Sequence, residues 1–593
     1  MKERIVRIGG ASGFWGDTSM SAPQLLASGQ VDYLVFDYLA EVTMSIMTGQ
    51  RARDPQAGYA LDFVQITMRQ LLPELKRQGV KVVANAGGVN PLACRDALRR
   101  VADELGVPLK IGVVLGDDLL EQSDALRAAG ITEMFDGSAF PAKPLSINAY
   151  LGATPIAAAL DAGCEVVITG RCVDSAVTLG VLLHEFQWAA DDWDRLAQGS
   201  LAGHLIECGA QCTGGLFTDW DRVPDWENIG SPILEASADG SFVVGKPPGT
   251  GGLIEPASVA EQLLYEIGDP RAYLMPDVTC DFTQVRFEPA GEQRVRVSGA
   301  RGRPPTPTYK VSTTYMDGYK NTAILVVGGE RAAAKARRTG EAILARTAKM
   351  LAQQGLPGYT ETRIEVVGAE DMFGAHANPV SREVVLKMAV KSRSKESLAL
   401  FAREFVAPGT SMAPGTTGLV SGRPAPSPVI RLFSFLYDKG RVPVRIDVDG
   451  DSRDVAIAAG DARAPELPPA IRYDVAPLAA MPAGARTVPL IALAYGRSGD
   501  KGDKANIGLI ARRPDYLPLI LRWVTAERVA EYFAHCGPSR VERFDLPGFD
   551  AVNFVLHDAL GGGGVTSLRT DNLAKAFAQV LLTMSVPVPD SFA

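Results

Sequence analysis

Val80-Lys81-Val82-Val83-Ala84-Asn85 runs straight into Ala86-Gly87-Gly88-Val89-Asn90-Pro91. A short β-branched, apolar run broken by glycines reads as a buried strand ending in a tight turn. A helix-period stretch follows from about Leu92 to Leu105. Leu109-Lys110-Ile111-Gly112-Val113-Val114 is the next strand, and Gly116-Asp117-Asp118 ends it. Strand, turn, helix and strand in that order make a βαβ unit, whose strands are parallel.

The pattern extends in both directions. Upstream, Ile5 to Ile8 is a strand that enters the glycine loop Gly9-Gly10-Ala11-Ser12-Gly13-Phe14-Trp15-Gly16-Asp17, with a helix from Ala22 to Ser28. Val31 to Asp37 is a second strand, and Asp62 to Arg77 an amphipathic helix carrying Pro73. Downstream, Ala153 to Ala162 is a helix. Glu165 to Thr169 is a strand with Gly170-Arg171-Cys172-Val173-Asp174 at its end. The fold class is therefore α/β, a large open, mostly parallel sheet with helices on both faces. In such sheets ligands sit beyond the carboxyl ends of the strands. Asp37, Asn85, Asn90 and Asp117 fall there, as do Arg171 and Asp174, which could bind substrate or pair with each other. Gly13, Trp15 and Asp17 mark a strand–loop–helix anion site, but the loop lacks a Walker lysine and is equally a tight turn.

After residue 230 the texture changes toward short, antiparallel-looking strands. Residues 452 to 487 are rich in Ala, Pro and Arg, a linker composition. A boundary near 480 divides the chain into 1–480, with a possible break near 230, and 481–593. The second part reads as a small α+β, ferredoxin-like domain. Its loop Arg497-Ser498-Gly499-Asp500-Lys501-Gly502-Asp503-Lys504 suggests that Arg497, Lys501 and Lys504 hold a phosphate or carboxylate.

A net charge of −8 argues against binding that rests on nucleic-acid phosphates. No apolar run reaches the length of a membrane span. The start moves directly into a strand pattern rather than a signal peptide, so a cytoplasmic location is expected. Seven scattered cysteines make no disulfide framework, and no full set of metal ligands is present.

The richest chemical segment is Gly203-His204-Leu205-Ile206-Glu207-Cys208-Gly209-Ala210-Gln211-Cys212-Thr213-Gly214-Gly215. If it begins as a helix, His204 and Glu207 share a face with Cys208 beside them. This marks His204, Glu207 and Cys208 as catalytic candidates, with Gln211 and Thr213 at the substrate. A buried helix end whose polar groups bond one another fits the same residues.

These blocks resemble the AtuA family, proteins associated with acyclic terpene utilisation. The carriers are the glycine loop 9–17, Asn85-Ala86-Gly87-Gly88, Thr169-Gly170-Arg171, the segment 203–215, Tyr265-Glu266-Ile267-Gly268-Asp269-Pro270 and Pro276-Asp277-Val278. Arg497 to Asp503 resembles the family's small C-terminal domain. The resemblance implies catabolism of branched, prenyl-like acids as acyl-CoA thioesters. The expected activity is a hydratase or dehydratase in which His204 or Glu207 exchanges the proton α to the thioester. CoA enters as part of the substrate, no other cofactor is required, and a homo-oligomer is expected. A Cys208 nucleophile for acyl or CoA transfer, and a non-catalytic subunit or scaffold of the same catabolism, are the alternatives.

Overall fold

The computed structural model describes residues 4–418, 422–463, 466–474, 486–564 and 566–589. The boundary expected near 480 lies outside the described residues. Five parallel strands form the centre of the large domain, in the spatial order Ile5–Ser12, Tyr33–Phe36, Lys81–Ala84, Val166–Thr169 and Ile111–Leu115. Their side chains alternate between two cores, as the pleat requires. Val35, Val83 and Val167 enter one core, packed by helices Thr154–Asp161, Ala176–Phe186 and Trp193–Ile206. Leu34, Phe36, Val82 and Ala84 enter the other, packed by Ser21–Ala27, Arg69–Gln78 and Pro91–Glu104.

The expected sheet is thus present, but it is mixed rather than mostly parallel. Six more strands flank the parallel centre, and every added pairing is antiparallel. For the hairpin pairs the reason is connection length. Ile233–Ser237 and Phe242–Gly245 are joined by a loop too short for the crossover that a parallel pair needs. Ile233–Ser237 pairs with Ile5–Ser12, so the chain on either side of residue 230 lies in one sheet.

A second, wholly antiparallel sheet is built around the long strand Thr308–Gly328 and carries helices Ala332–Gln353 and Lys395–Glu404. The segment expected to be one helix from Asp62 to Arg77 opens with a π-helical turn, Phe63–Met68, and continues as Arg69–Gln78 with Pro73 inside.

The C-terminal domain is a four-stranded antiparallel sheet in the order Ala494–Lys501, Lys504–Ala511, Ala551–His557 and Arg540–Leu546. Helices Leu517–Trp523, Ala526–Tyr532 and Phe577–Leu581 pack in the same domain core. Two buried asparagines on neighbouring strands join it to the large domain. Asn506 donates to the Leu264 carbonyl and accepts from the Glu266 amide, and Asn553 donates to the carbonyls of Ile267 and Gly268. The Thr218 hydroxyl donates to the Gly496 carbonyl and accepts from its amide. Arg512 pairs with Asp219.

Candidate functional site

Helix Trp193–Ile206 is buried along its length from Leu196 onward, so His204 in its last turn has no access to solvent. A buried imidazole left unpaired would cost about 1–3 kcal/mol. Both ring nitrogens are therefore occupied. Nδ1 lies 3.1 Å from Glu207 Oε1 and Nε2 3.1 Å from the Leu263 carbonyl oxygen. That carbonyl can only accept, so Nε2 carries the hydrogen. The ring also lies against Tyr273 and Phe282. Gly203 lets this helix meet Ser175, since a Cβ there would stand 2.7 Å from the Ser175 carbonyl oxygen.

Burial raises the Glu207 carboxyl above its usual range. Burial also works against the charged His204, but the Glu207 carboxylate and the Leu263 carbonyl outweigh it and raise the imidazole. The two groups face each other across one hydrogen bond, so the protonation of each depends on the other. Asp37 stands in the same field. Burial and the nearby Asp174 carboxylate push it well up, and Arg171 and Asn85 only partly oppose them. Asn85 donates to Asp37 Oδ1, and its own Oδ1 accepts from the Tyr38 amide at 2.7 Å. Arg171 reaches Asp174 Oδ1 at 2.8 Å while its guanidinium lies 4.2 Å from the Tyr150 ring centre. The strand-end residues Asp37, Asn85, Arg171 and Asp174 thus share one electrostatic environment with His204 and Glu207.

The other expected site residues separate from this cluster. Asp17 turns inward, where Oδ2 accepts from the Gly13 amide at 2.9 Å and Oδ1 from Thr18 at 2.7 Å. Trp15 donates to Asp62 at 2.6 Å. The cavity beside the loop, near Ser12, Asp17, Tyr38 and Asp62, is about 60 Å³. Gly13 and Trp15 are thus bound to Asp17 and Asp62 of their own domain. Thr213 is spent on the carbonyls of Gly230 and Ala210.

Arg497, Lys501 and Lys504 do not converge. Arg497 is buried, donates to Gln211 Oε1 and the Leu216 carbonyl, and lies over Tyr265. Lys501 pairs with Glu266 at 2.9 Å, and Lys504 lies over the Phe135 ring. Arg497 and Lys501 lie on strand Ala494–Lys501 and Lys504 opens the next, and acidic and aromatic side chains of the large domain take each cation.

Burial raises the Cys208 thiol well above its usual range, with Glu207 and Glu266 adding to the effect. It is held as a thiol rather than as the nucleophilic thiolate. All seven cysteines are free. No group of three or more His, Cys, Asp or Glu among the described residues is arranged to hold a metal ion.

Two carboxyls, Glu266 and Glu261, carry no catalytic signal in the sequence, and a third, Asp117, is marked there only by its strand-end position. Glu266 sits in the left-handed region at φ 58° and holds both Lys501 and Lys575. Burial works to raise its carboxyl, but the two lysines prevail and lower it. Glu261 is buried with Oε2 unpartnered among the described residues, and burial pushes it up to about 8. Asp117 accepts from the Arg171 amide and from Asn148, and burial pushes it up to about 7. The lysine and glutamate partners are separated by hundreds of residues. A cleft of about 530 Å³ is lined by Arg271, Arg472 and Arg543 rather than by any of these carboxyls.

A mixed α/β sheet with a buried acid–base cluster at its strand ends, closed by a small antiparallel domain, defines a two-domain protein with a candidate acid/base centre. The chain belongs to the AtuA family. The model of the acyclic terpene utilisation family protein AtuA matches residues 6–448, and that of the AtuA ferredoxin-like domain matches residues 488–587. The family is implicated in acyclic terpene utilisation. No curated protein and no solved structure matches the chain. No helix among the described residues is long and apolar enough to cross a membrane.

Proposed function

We propose that this chain is a cytoplasmic catabolic enzyme acting on a branched or unsaturated acyl-CoA, as a hydratase or dehydratase. The observation that carries the reading is the shared environment of Glu207 and Asp37, two buried carboxyls raised by burial and by the Asp174 carboxylate, with Arg171 opposing at Asp37. Reversible hydration of an enoyl thioester needs one group to give or take the α-proton and another to take or give the proton of water. Neighbouring acids with raised pKa values suit that exchange near neutral pH. Glu207 exchanges the α-proton. Asp37 serves the water. His204, with both nitrogens engaged, is a positioning residue that orients Glu207. The Gly13 amide is held by Asp17, so the glycine loop gives little support to an enolate-oxygen site there. CoA enters as part of the substrate, and the chemistry calls for no redox cofactor.

The test uses the purified chain with 3-methylbut-2-enoyl-CoA in deuterated water. Loss of the enoyl-thioester absorbance with deuterium at C2, reduced at least 100-fold by Glu207→Gln, is the expected result. Neither binding nor turnover of any branched acyl-CoA would end the enzyme reading.

A second reading, a non-catalytic subunit or scaffold of a branched-acid pathway, draws on a surface feature. Trp220 and Trp226 are 61% and 56% exposed, their ring centres 5.9 Å apart. Such aromatic pairs suit contact with another chain, in a homo-oligomer or with a partner enzyme. Stable hetero-complex formation without acyl-CoA binding would favour it. Acyl transfer through Cys208 is the least supported reading, because its thiol resists ionisation.

A further inference from the structure

The 530 Å³ cleft lies where four separate pieces of chain meet. These are the loop at Arg271, the strap at Ala470, Ile471 and Arg472, and the edge strand of the C-terminal sheet from Val541 to Asp545, with a fourth piece, Thr525 to Glu527, completing the wall. Its volume is that of a small-molecule site. The strap is fixed in place. Arg271 donates to the Pro468 carbonyl, and the Tyr473 hydroxyl donates to the carbonyls of Leu546 and Ala551.

Its walls carry three arginines, Arg271, Arg472 and Arg543, and three carboxylates, Glu527, Glu542 and Asp545, which are not paired one to one. Arg271 is matched by the bidentate carboxylate of Asp269. Glu542 is matched by Arg540 and His557. Glu527 is bound back to the start of its own helix. Arg472 and Arg543 are left sharing one carboxylate, Asp545 Oδ1, at 3.8 and 3.1 Å. Arg472 spends Nη1 on the Arg543 carbonyl, and Arg543 spends Nη1 on Leu521. Among the described residues, neither Nη2 has a protein partner. Two guanidiniums with spare donors at one wall match the tetrahedral oxygens of a phosphate. Phe544, Ile471 and Val541 offer apolar surface for the rest of a ligand.

We propose that this cleft binds a phosphorylated small molecule, its phosphate held by Arg472 and Arg543. The same chemistry could come from the phosphates of CoA or from a separate phosphate ester. The experiment is calorimetric titration of the full chain with inorganic phosphate, AMP, CoA and dephospho-CoA. Wild type, Arg472→Glu and a distant control, Arg338→Glu, are compared. Arg472 is 58% exposed, so its replacement should leave folding intact, which melting temperature checks. Should Arg472→Glu fold poorly, Arg472→Gln takes its place.

Binding of at least one phosphate-bearing probe, weakened tenfold or more by Arg472→Glu and unchanged by Arg338→Glu, is the expected result. Preference for CoA over dephospho-CoA would make the cleft the nucleotide end of an acyl-CoA site. Preference for AMP or phosphate would make it a site for a separate ligand. No binding of any probe, or binding indifferent to Arg472, would overturn the proposal.

Discussion

A Cβ built on Gly13 would stand 2.8 Å from the carbonyl carbon of Cys208, so the glycine loop and the end of the His204 helix touch backbone to backbone. No side chain can be added at Gly13 without moving one of them. Gly13→Ala is expected to lose about 1–3 kcal/mol, as overpacked sites do. Denaturant titration checks this. A midpoint equal to wild type would mean the two segments do not meet as described.

Glu261 gives the protein a pH dependence of definite sign. Its carboxyl rises from 4.5 to about 8 on folding, so the folded state holds its proton more tightly. Its contribution is complete below pH 4.5 and is lost as pH rises toward 8. Glu261→Gln keeps an acceptor for the Thr218 amide but cannot ionise. The variant should match wild type near pH 5 and exceed it at pH 8 to 9, by thermal melts at both. Asp117, pushed up to about 7, leaves a residual slope of the same sign in the variant. A variant less stable than wild type at pH 9 would mean that Glu261 is ionised and useful there.

Asn506 holds the segment that carries Tyr265 and Glu266. Replacing it with Leu removes its bonds to Leu264, Glu266 and Asn553 together. Each buried group left unpaired costs about 1–3 kcal/mol. Asn506→Leu is expected to split unfolding into two calorimetric transitions, with the C-terminal domain melting separately. A single transition at the wild-type temperature would show that the asparagine clamp does not couple the domains.

If Cys208 is an inert thiol, removing it should cost little chemistry. Cys208→Ala is expected to keep turnover within about threefold of wild type on any substrate that Glu207→Gln abolishes. Iodoacetamide should modify Cys208 in the native protein more slowly than a free thiol at pH 8, because thiolate is the reactive form. Loss of turnover in Cys208→Ala with a normal melt would revive nucleophilic catalysis.

What the sequence determined was local. Alternating apolar runs and glycine turns from Ile5 to Thr169 identify the parallel centre, because period and punctuation are properties of short segments. The spacing of His204 and Glu207 fixes their contact for the same reason, since residues three apart on a helix must be neighbours. Even the strand-end positions of Asp37, Asn85 and Arg171 follow from the rule that a parallel sheet gathers its carboxyl ends.

Tertiary structure alone decided the rest. Whether Asp17 faces a ligand or its own loop depends on where Gly13 packs. Whether Lys501 meets a phosphate or Glu266 depends on a residue 235 positions away. The antiparallel margins of the sheet, the buried Glu261 and the arginine cleft all arise where distant segments meet. There burial sets the protonation and pairing of a side chain, and burial is a property of the assembled fold.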